Sequence, residues 1–280
     1  MTEQSSARSA RNLGPTSPRS ARVVAIRALN KRAARRESGT FLAEGPQAVR
    51  EALVWGHVRG EAIAIYATHE ALTKFDFLAA TSVEVTIVVE EILNAMADTA
   101  TPQGVIAICR LPQDTLESVL SAPNPRLLAI LANVRDPGNL GTVIRSADAA
   151  GADGVITSVE SVDPWSPKAV RSSAGSLWHI PVIGEAELAS TVAEVSARGF
   201  QIFAADADAS VDLDDLEADG KLAGPTAWLF GNEANGLTDQ VRDLADEVVS
   251  IRIFGGAESL NLSMAATLAL YSSARAQRRA

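Results

Sequence analysis

The apolar run RLLAILA at residues 126–132 is the feature that most constrains how this chain can fold. It holds no polar residue after Arg126, so it suits a strand that is covered on both faces. Further strand patterns follow, separated by helical patterns, in DGVITS, HIPVIG, FQIFAAD, TAWLF and SIRIF. Strands that alternate with helices favour parallel pairing. The second half of the chain is therefore predicted to be an α/β unit with a mostly parallel sheet.

A smaller α/β pattern precedes this unit. FLAEGPQAVREALVWG predicts a strand, a turn at Gly45-Pro46 and a helix that ends near Gly56. AIAIY, VEVTIVV and GVIAICRL predict strands, with helices around residues 69–79 and 90–97 between them. The Pro-rich segment PQDTLESVLSAPNPR predicts a linker with one short helix. We therefore divide the chain into a small domain at residues 37–111, a linker at 112–126 and a large domain at 127–280.

Charge is distributed unevenly along the chain. Residues 1–36 hold nine Arg or Lys residues and one acid, a local charge of +8, whereas the whole chain carries −9. This segment is predicted to be a basic, partly disordered arm, because residues 1–20 are rich in Ser, Pro and Arg. Such an arm can bind a polyanion backbone through counterion release, or it can be a solubilising extension. The charge alone leaves both interpretations open.

Several functional classes are not supported. The chain has no run of about 18 apolar residues and no signal-peptide core, so we expect a cytoplasmic protein without a membrane partner. Cys109 is the sole cysteine, and His57, His69 and His179 lie too far apart for a local metal motif. Neither GxxxxGK[ST] nor a GxGxxG after a first strand occurs, which argues against NTPases and nicotinamide-dependent oxidoreductases.

Three loops that follow predicted strands are candidates for a binding site. NVRDPGNLG follows LLAILA, GNEANG follows WLF, and GGAESLN follows SIRIF. Ligands bind at the carboxyl ends of strands in open parallel sheets. Tight turns use the same Gly, Asn and acidic residues, so a turn alone would explain any one loop. The three together indicate a ligand held mainly by backbone and apolar contacts.

The same three loops resemble a known family. NVRDPGNLGTVIR, FGNEANGL and SIRIFGGAESLNLS resemble, in order and spacing, the three motifs of the SpoU (TrmH-like) RNA ribose 2′-O-methyltransferases of the SPOUT class. FLAEGPQAVREAL further resembles the start of the ribosomal-protein-like RNA-binding domain that many members carry in front. The resemblance implies an α/β fold with a trefoil-knotted C-terminal domain, S-adenosyl-L-methionine bound in the knot, and a homodimer whose active site draws on both subunits.

The resemblance also implies roles for individual residues. The cofactor contacts, mostly through main chain, would come from Leu229, Gly231, Ile251 and Leu260. Arg145 would act on the ribose 2′-hydroxyl. Because a guanidinium keeps its proton, we expect Arg145 to orient the target nucleotide through its phosphate and to stabilise negative charge that develops on oxygen.

Four more candidates belong to the motif loops. Ser259 and Asn261 would face the reacting centre, because a helix N-cap needs only one of the polar residues in ESLNLS. Glu233 would hold a polar network or take the proton, or else cap a helix or lock its turn. Asn139 would belong to the site or simply cap the helix that carries Arg145.

Basic residues outside the motif loops are candidates for contacts with substrate RNA. Lys168 and Arg171, spaced i and i+3 on a predicted helix, form either a phosphate-binding face or an ordinary solvated surface. Arg32 and Arg35 of the arm would give an additional grip on RNA. The front domain favours 23S ribosomal RNA as substrate. The alternatives are a tRNA 2′-O-methyltransferase and a non-catalytic RNA-binding protein on the same scaffold.

Overall fold

The computed structural model describes residues 14–232 and 236–280, and these divide into two compact units between Arg110 and Leu111. Glu233 and the first part of the basic arm lie outside the described residues. The predicted α/β class and the parallel C-terminal sheet are confirmed. No helix among the described residues combines the length and apolar character needed to cross a membrane.

The N-terminal unit is built on a mixed four-stranded sheet. Its strand order is β1-β4-β2-β3, with β4 antiparallel to β1 and β2, and β3 parallel to β2. Its elements are α1 (Ala21–Ala28), α2 (Arg32–Ser38), β1 (Thr40–Glu44), α3 (Pro46–Trp55), β2 (Ala62–Ala67), α4 (His69–Lys74), α5 (Phe77–Ala80), β3 (Val85–Ile87), α6 (Glu90–Met96) and β4 (Val105–Arg110).

Helices α1 and α2 belong to this unit, although the sequence predicts most of this segment as part of a basic arm. The core of this unit includes two residues of α1, Val23 and Ile26, and its C-cap, Leu29. All three are buried and pack in one cluster with Leu42 and Tyr66. Their i, i+3, i+6 spacing is typical of an amphipathic helix. The high Arg content of this segment obscured its apolar face.

The C-terminal unit contains a seven-stranded sheet in which every paired strand is parallel. The strand order is β7-β6-β5-β10-β8-β11-β9. The elements are α7 (Leu116–Leu120), β5 (Leu127–Leu131), α8 (Pro137–Ala150), β6 (Gly154–Ser158), α9 (Pro167–Ser172), β7 (Val182–Ala186), α10 (Leu188–Ala197), β8 (Gln201–Ala205), β9 (Val211–Asp212), α11 (Leu213–Ala218), β10 (Thr226–Phe230), α12 (Asp239–Arg242), β11 (Glu247–Ser250) and α13 (Leu262–Arg279).

The centre of this sheet is buried on both faces, as the run RLLAILA predicts. Every residue of β5 and β10 is buried. On one face the indole Nε1 of Trp228 donates to Ser273 Oγ at 2.9 Å, which ties β10 to α13. Val119 and Leu120 of α7 also lie in this unit's core, so the segment predicted as a linker packs as part of the C-terminal unit.

Two boundaries near the motif loops differ from the predictions. The sequence predicts NVRDPGNLG of the first motif as a loop, but α8 begins within it at Pro137. Proline is favoured at the first helical position, because an N–H there would have no acceptor within the helix. The strand predicted for SIRIF ends at Ser250, so the residues from Ile251 to Asn261 form an irregular segment before α13.

Candidate functional site

A cavity of about 610 Å³ opens at the carboxyl ends of β8, β10 and β11. Parallel strands end at the same edge of a sheet, which brings the residues just after them together. The irregular segment before α13 closes another side of the cavity. The lining includes Asp206, Gly231, Ile251, Ser259, Leu260 and Asn261.

Main-chain groups in the cavity wall are available to a ligand. Gly231, Ile251 and Leu260 are half-buried, and their N–H and C=O groups make no backbone hydrogen bond to any other described residue. Main-chain groups that are shielded from water are normally paired. A ligand bound through the main chain would satisfy these groups, which is the mode of binding that the sequence predicts for this site.

The loop after β10 explains why residue 231 is glycine. Asn232 and Gly236 form an antiparallel bridge, with hydrogen bonds of 3.0 and 2.9 Å between their main chains. A Cβ on Gly231 would lie only 2.5 Å from the carbonyl oxygen of Gly236 and 2.7 Å from the nitrogen of Leu237. The absence of a side chain therefore lets this loop fold back against the end of β10.

Asn261 links the start of α13 to the start of α8. As the N-cap of α13 it accepts from the N–H of Ser263 at 2.9 Å, while its Nδ2 donates to Asn139 Oδ1 at 3.1 Å. Ser259, beside it, is exposed at the cavity and makes no hydrogen bond to another described residue. The structure therefore brings the first and third motifs together through Asn139 and Asn261.

Asp136, rather than Asn139, is the N-cap of α8. Its Oδ1 accepts from the N–H of Asn139 at 2.8 Å, and its Oδ2 lies 2.7 Å from Lys168 Nζ. These interactions, first the hydrogen bond from Lys168 and then that from Asn139, hold the pKa of Asp136 below its usual value. The cap interpretation of Asn139 is thus corrected, and its amide oxygen is occupied by Asn261 instead.

The proposed RNA contacts fall into different environments. Lys168 is ion-paired with Asp136, while Arg171 on the same helix α9 is half-buried. Arg32 is also half-buried, in α2. Arg35 is only 3% exposed, and its Nη1 donates to the carbonyl of Leu29 at 2.7 Å. A guanidinium buried in this way cannot reach a phosphate in solvent, so Arg35 serves the fold of the N-terminal unit.

Arg145 and Leu229 lie outside the cavity lining. Arg145 is exposed on α8 and forms no hydrogen bond or ion pair within the described part of the chain. Leu229 is fully buried in the middle of β10, paired in register with Ile130 and Ala204 on its two sides. Within β10 and the described part of the loop after it, the lining residues are Phe230, Gly231, Asn232, Gly236 and Leu237.

Three charged residues of the cavity lining are not among the residues predicted from the sequence. Asp206 directly follows β8, Asp208 lies two residues further on, and Arg242 ends α12. The rule that ligands bind at the carboxyl ends of parallel strands applies to FQIFAAD as much as to the three motif loops, so it could have identified Asp206. No sequence pattern indicates Arg242, because this residue lies on α12, a helix that the sequence pattern does not predict.

The cavity fits S-adenosylmethionine as a ligand. Its volume lies within the range of about 300–1,000 Å³ that is usual for small-molecule sites. The apolar side chain of half-buried Ile253 can contact an adenine ring, and the main-chain groups described above can bind its polar edge. Charged and polar side chains at the same wall suit the ribose and the amino-acid end of such a molecule.

Comparisons with known proteins agree with this architecture. The model of the SpoU rRNA Methylase family matches residues 126–271, and that of the MRM3-like substrate binding domain matches residues 20–107. The 23S rRNA (guanosine(2553)-2′-O)-methyltransferase RlmP of Bacillus subtilis is 31% identical, over 87% of this chain and 92% of its own. The 23S rRNA (uridine(2479)-2′-O)-methyltransferase of Streptomyces viridochromogenes is 32% identical, over 95% and 96%.

A solved structure is also similar over most of the chain. The crystal structure of an AdoMet-bound rRNA methyltransferase from Sinorhizobium meliloti aligns with a TM-score of 0.79 at 32% identity, covering 93% of this chain and 97% of that one. AdoMet is S-adenosylmethionine. Together with the family model, which spans more than half of the sequence, this likeness shows that the chain belongs to the SpoU rRNA methylase family.

Proposed function

We propose that this protein transfers a methyl group from AdoMet to a ribose 2′-hydroxyl of 23S ribosomal RNA. The observation that carries the proposal is the convergence of the second and third motifs on one cavity with available main-chain groups. The Bacillus and Streptomyces relatives are named for 2′-O-methylation of 23S rRNA, and the Sinorhizobium structure is named as AdoMet-bound. A ribosomal RNA substrate also supports a cytoplasmic location.

In this reaction the main role of the protein is to position the two reactants. When bound, AdoMet supplies a methyl group activated by its sulfonium, so that a C–O bond to the ribose forms as the C–S bond breaks and the hydroxyl proton leaves. Arg145 orients the target nucleotide through its phosphate and stabilises charge that develops on the ribose oxygen. Ser259 and Asn261 face the reacting centre from the cavity wall, and Glu233 is a candidate to accept the proton.

A knotted C-terminal domain is part of this proposal. Strand β10 lies between β5 and β8, and α13 packs against α8, β5 and β10 after the irregular segment has passed the cavity. This arrangement supports a chain whose last part threads through an earlier loop, which is rare among proteins.

A homodimer is also part of the proposal. Met264, Leu268 and Tyr271 lie on one face of α13 with 62%, 47% and 37% exposure, an apolar stripe of i, i+4, i+7 spacing. Ser146 Oγ and Thr267 Oγ1 lie 2.6 Å apart where α8 meets α13, and the hydroxyl of Tyr271 donates to the carbonyl of Ala149, one helical turn after Arg145. Pairing through α13 would bring Arg145 of one subunit towards the cavity of the other.

The N-terminal unit would bind the RNA substrate. Its match to a substrate binding domain supports this role. A cavity of about 660 Å³ at the ends of its strands is lined by groups that can stack on or hydrogen-bond to nucleotides, including His69, Lys74, Phe75, Asn94 and Gln103. Lys74 also lies 5.6 Å from the centre of the Phe75 ring.

The experiment is methyl transfer from radiolabelled AdoMet to unmodified 23S rRNA, followed by digestion to nucleosides. We expect the label in a 2′-O-methylated nucleoside of 23S rRNA, with unmodified tRNA as the comparison substrate. Label in a methylated base would contradict the proposed chemistry, and preferential labelling of tRNA would contradict the proposed substrate. AdoMet binding without any transfer to either RNA would favour the non-catalytic alternative.

A further inference from the structure

Asp206 and Arg242 form an ion pair in the cavity wall to which the proposed function gives no role. Arg242 Nη2 lies 2.6 Å from Asp206 Oδ1, and Arg242 Nε donates to Asp206 Oδ2 at 3.0 Å. The side chain of Asp206 is 11% exposed, and that of Arg242 is 29% exposed. The hydrogen bond with Asp206 raises the pKa of Arg242, so the guanidinium stays charged. A two-point contact of this kind fixes the carboxylate in one orientation.

The carboxylate of Asp206 retains capacity to accept one more hydrogen bond. Its Oδ1 receives both Arg242 Nη2 and the N–H of Asp208, the latter at 3.1 Å. Its Oδ2 receives only Arg242 Nε among the hydrogen bonds to described residues. A carboxylate oxygen has two acceptor sites, so Oδ2 keeps one for a ligand.

The sheet order places Asp206 between the two strands whose ends were predicted to bind the cofactor. Strand β8 lies between β10 and β11, and the N–H of Asp206 donates to Val249 of β11 at 2.9 Å. Gly231 follows β10 and Ile251 follows β11. A nucleoside that contacts the main chains of both residues therefore spans the end of β8, where Asp206 stands.

We propose that Asp206 Oδ2 accepts a hydrogen bond from a ribose hydroxyl of the adenosyl group, and that Arg242 is the positioning residue that fixes the carboxylate. This inference rests on the proposed function, because it concerns the cofactor of that reaction. The charge of Asp206 is compensated by Arg242, so its remaining acceptor site suits a neutral hydroxyl better than a free ammonium group, while the neighbouring carboxylate of Asp208 is exposed. A fixed, partly dehydrated acceptor also discriminates strongly against an analogue that lacks the donor.

The first test uses the unaltered protein and calorimetric binding of S-adenosylhomocysteine. Its 2′-deoxy and 3′-deoxy analogues are measured beside it. We expect removal of one of the two hydroxyls to weaken binding about tenfold or more, as the loss of a hydrogen bond to a charged group requires. Equal affinity for all three compounds would overturn the role of Asp206. Failure of S-adenosylhomocysteine itself to bind would instead contradict the proposed function.

The second test asks whether Asp206 is the group that senses the hydroxyl. The Asp206→Ala substitution should weaken binding of S-adenosylhomocysteine. The variant protein should also bind S-adenosylhomocysteine and its deoxy analogue with equal affinity. Asp214→Asn is the control, because Asp214 is exposed and lies outside the cavity lining. This substitution removes one carboxylate charge, as Asp206→Ala does. A folded Asp206→Ala protein that still discriminates would overturn the inference. If this variant does not fold, the analogue series on the unaltered protein decides.

Discussion

At the scale of single residues, Asp136 organises the beginning of α8. It caps the helix through Asn139 and holds Lys168 of α9 in an ion pair. The cap leaves the side chain of Asn139 available for Asn261, so one carboxylate indirectly fixes the contact between the first and third motifs.

Asp136 should make the stability of the C-terminal unit depend on pH. Its folded pKa is lowered, so its stabilisation is complete above the unfolded value of about 3.9 and is lost as the pH falls through the folded pKa. Asp136→Ala should lower the free energy of unfolding at pH 7 by about 1 kcal/mol, measured by urea denaturation. The difference from the unaltered protein should shrink below about pH 4.

Glu194→Ala is a control for the Asp136 measurement, since Glu194 is exposed in the middle of α10. It should change the free energy of unfolding by less than about 0.5 kcal/mol at every pH. A difference between Asp136→Ala and the unaltered protein that stays constant down to pH 3 would contradict the electrostatic explanation.

Arg145 should affect methyl transfer without affecting cofactor binding, because it lies outside the cavity lining. Arg145→Ala should lower kcat about 100-fold, which is typical of losing a group that stabilises charge in the transition state. Its affinity for S-adenosylhomocysteine and its thermal stability should be unchanged. Arg145→Lys keeps the charge but loses the planar fork, so it should recover only part of the rate. Full activity in a folded Arg145→Ala protein would remove Arg145 from the mechanism.

At the scale of elements, the position of α8 depends on its close packing against α9. A Cβ on Gly141 would lie 2.5 Å from the carbonyl oxygen of Ala169 and 2.8 Å from the nitrogen of Ser173. The glycine therefore sets how closely the two helices approach. Its backbone is ordinary helix, so the requirement is purely steric.

Gly141→Ala should lower the free energy of unfolding by about 1–3 kcal/mol, the usual cost of overpacking. It should also weaken methyl transfer, because displaced α8 would carry Asn139 and Arg145 with it. Gly224→Ala is the matched control, as a Cβ there meets nothing within 4 Å. It should be neutral or slightly stabilising. Equal stability of the two variants would show that α8 and α9 can adjust without cost.

Elements with a continuous apolar run were predictable from the sequence, whereas elements defined by tertiary contacts were not. Strands β5 and β10 are buried throughout, and their composition alone indicates this. The irregular segment after β11 contains Ile251 and Ile253, which suggest a strand, yet both residues line the cavity instead. The three motif loops could be recognised from residue types, but the contribution of Arg242 depends on how α12 packs.

At the scale of the whole molecule, the separation of Arg145 from the cavity lining fits a site shared between two subunits. Tyr271 of the exposed apolar stripe on α13 donates to the carbonyl of Ala149, one helical turn after Arg145 on α8, as a two-fold contact through α13 would require. A site built in this way works only in the dimer, so oligomeric state and activity should be lost together.

Subunit mixing tests the proposed sharing of the site between two subunits. Arg145→Ala and Asn261→Ala proteins should each be inactive alone, whereas co-expression with two affinity tags should yield heterodimers in which one of the two sites is intact. Purified heterodimers should show about half of normal activity, and an unfractionated mixture from random pairing about a quarter. Each variant co-expressed with itself is the control. No recovery in purified heterodimers would place Arg145 and Asn261 in the site of one subunit.

The most direct measurement is a crystal structure of this protein grown with S-adenosylhomocysteine. The account predicts electron density for the adenosyl group in the C-terminal cavity, within hydrogen-bonding distance of main-chain atoms of Gly231, Ile251 and Leu260, and a chain trace that threads through itself around that cavity. Density for the ligand elsewhere, or an unthreaded trace with these three residues apart, would contradict it.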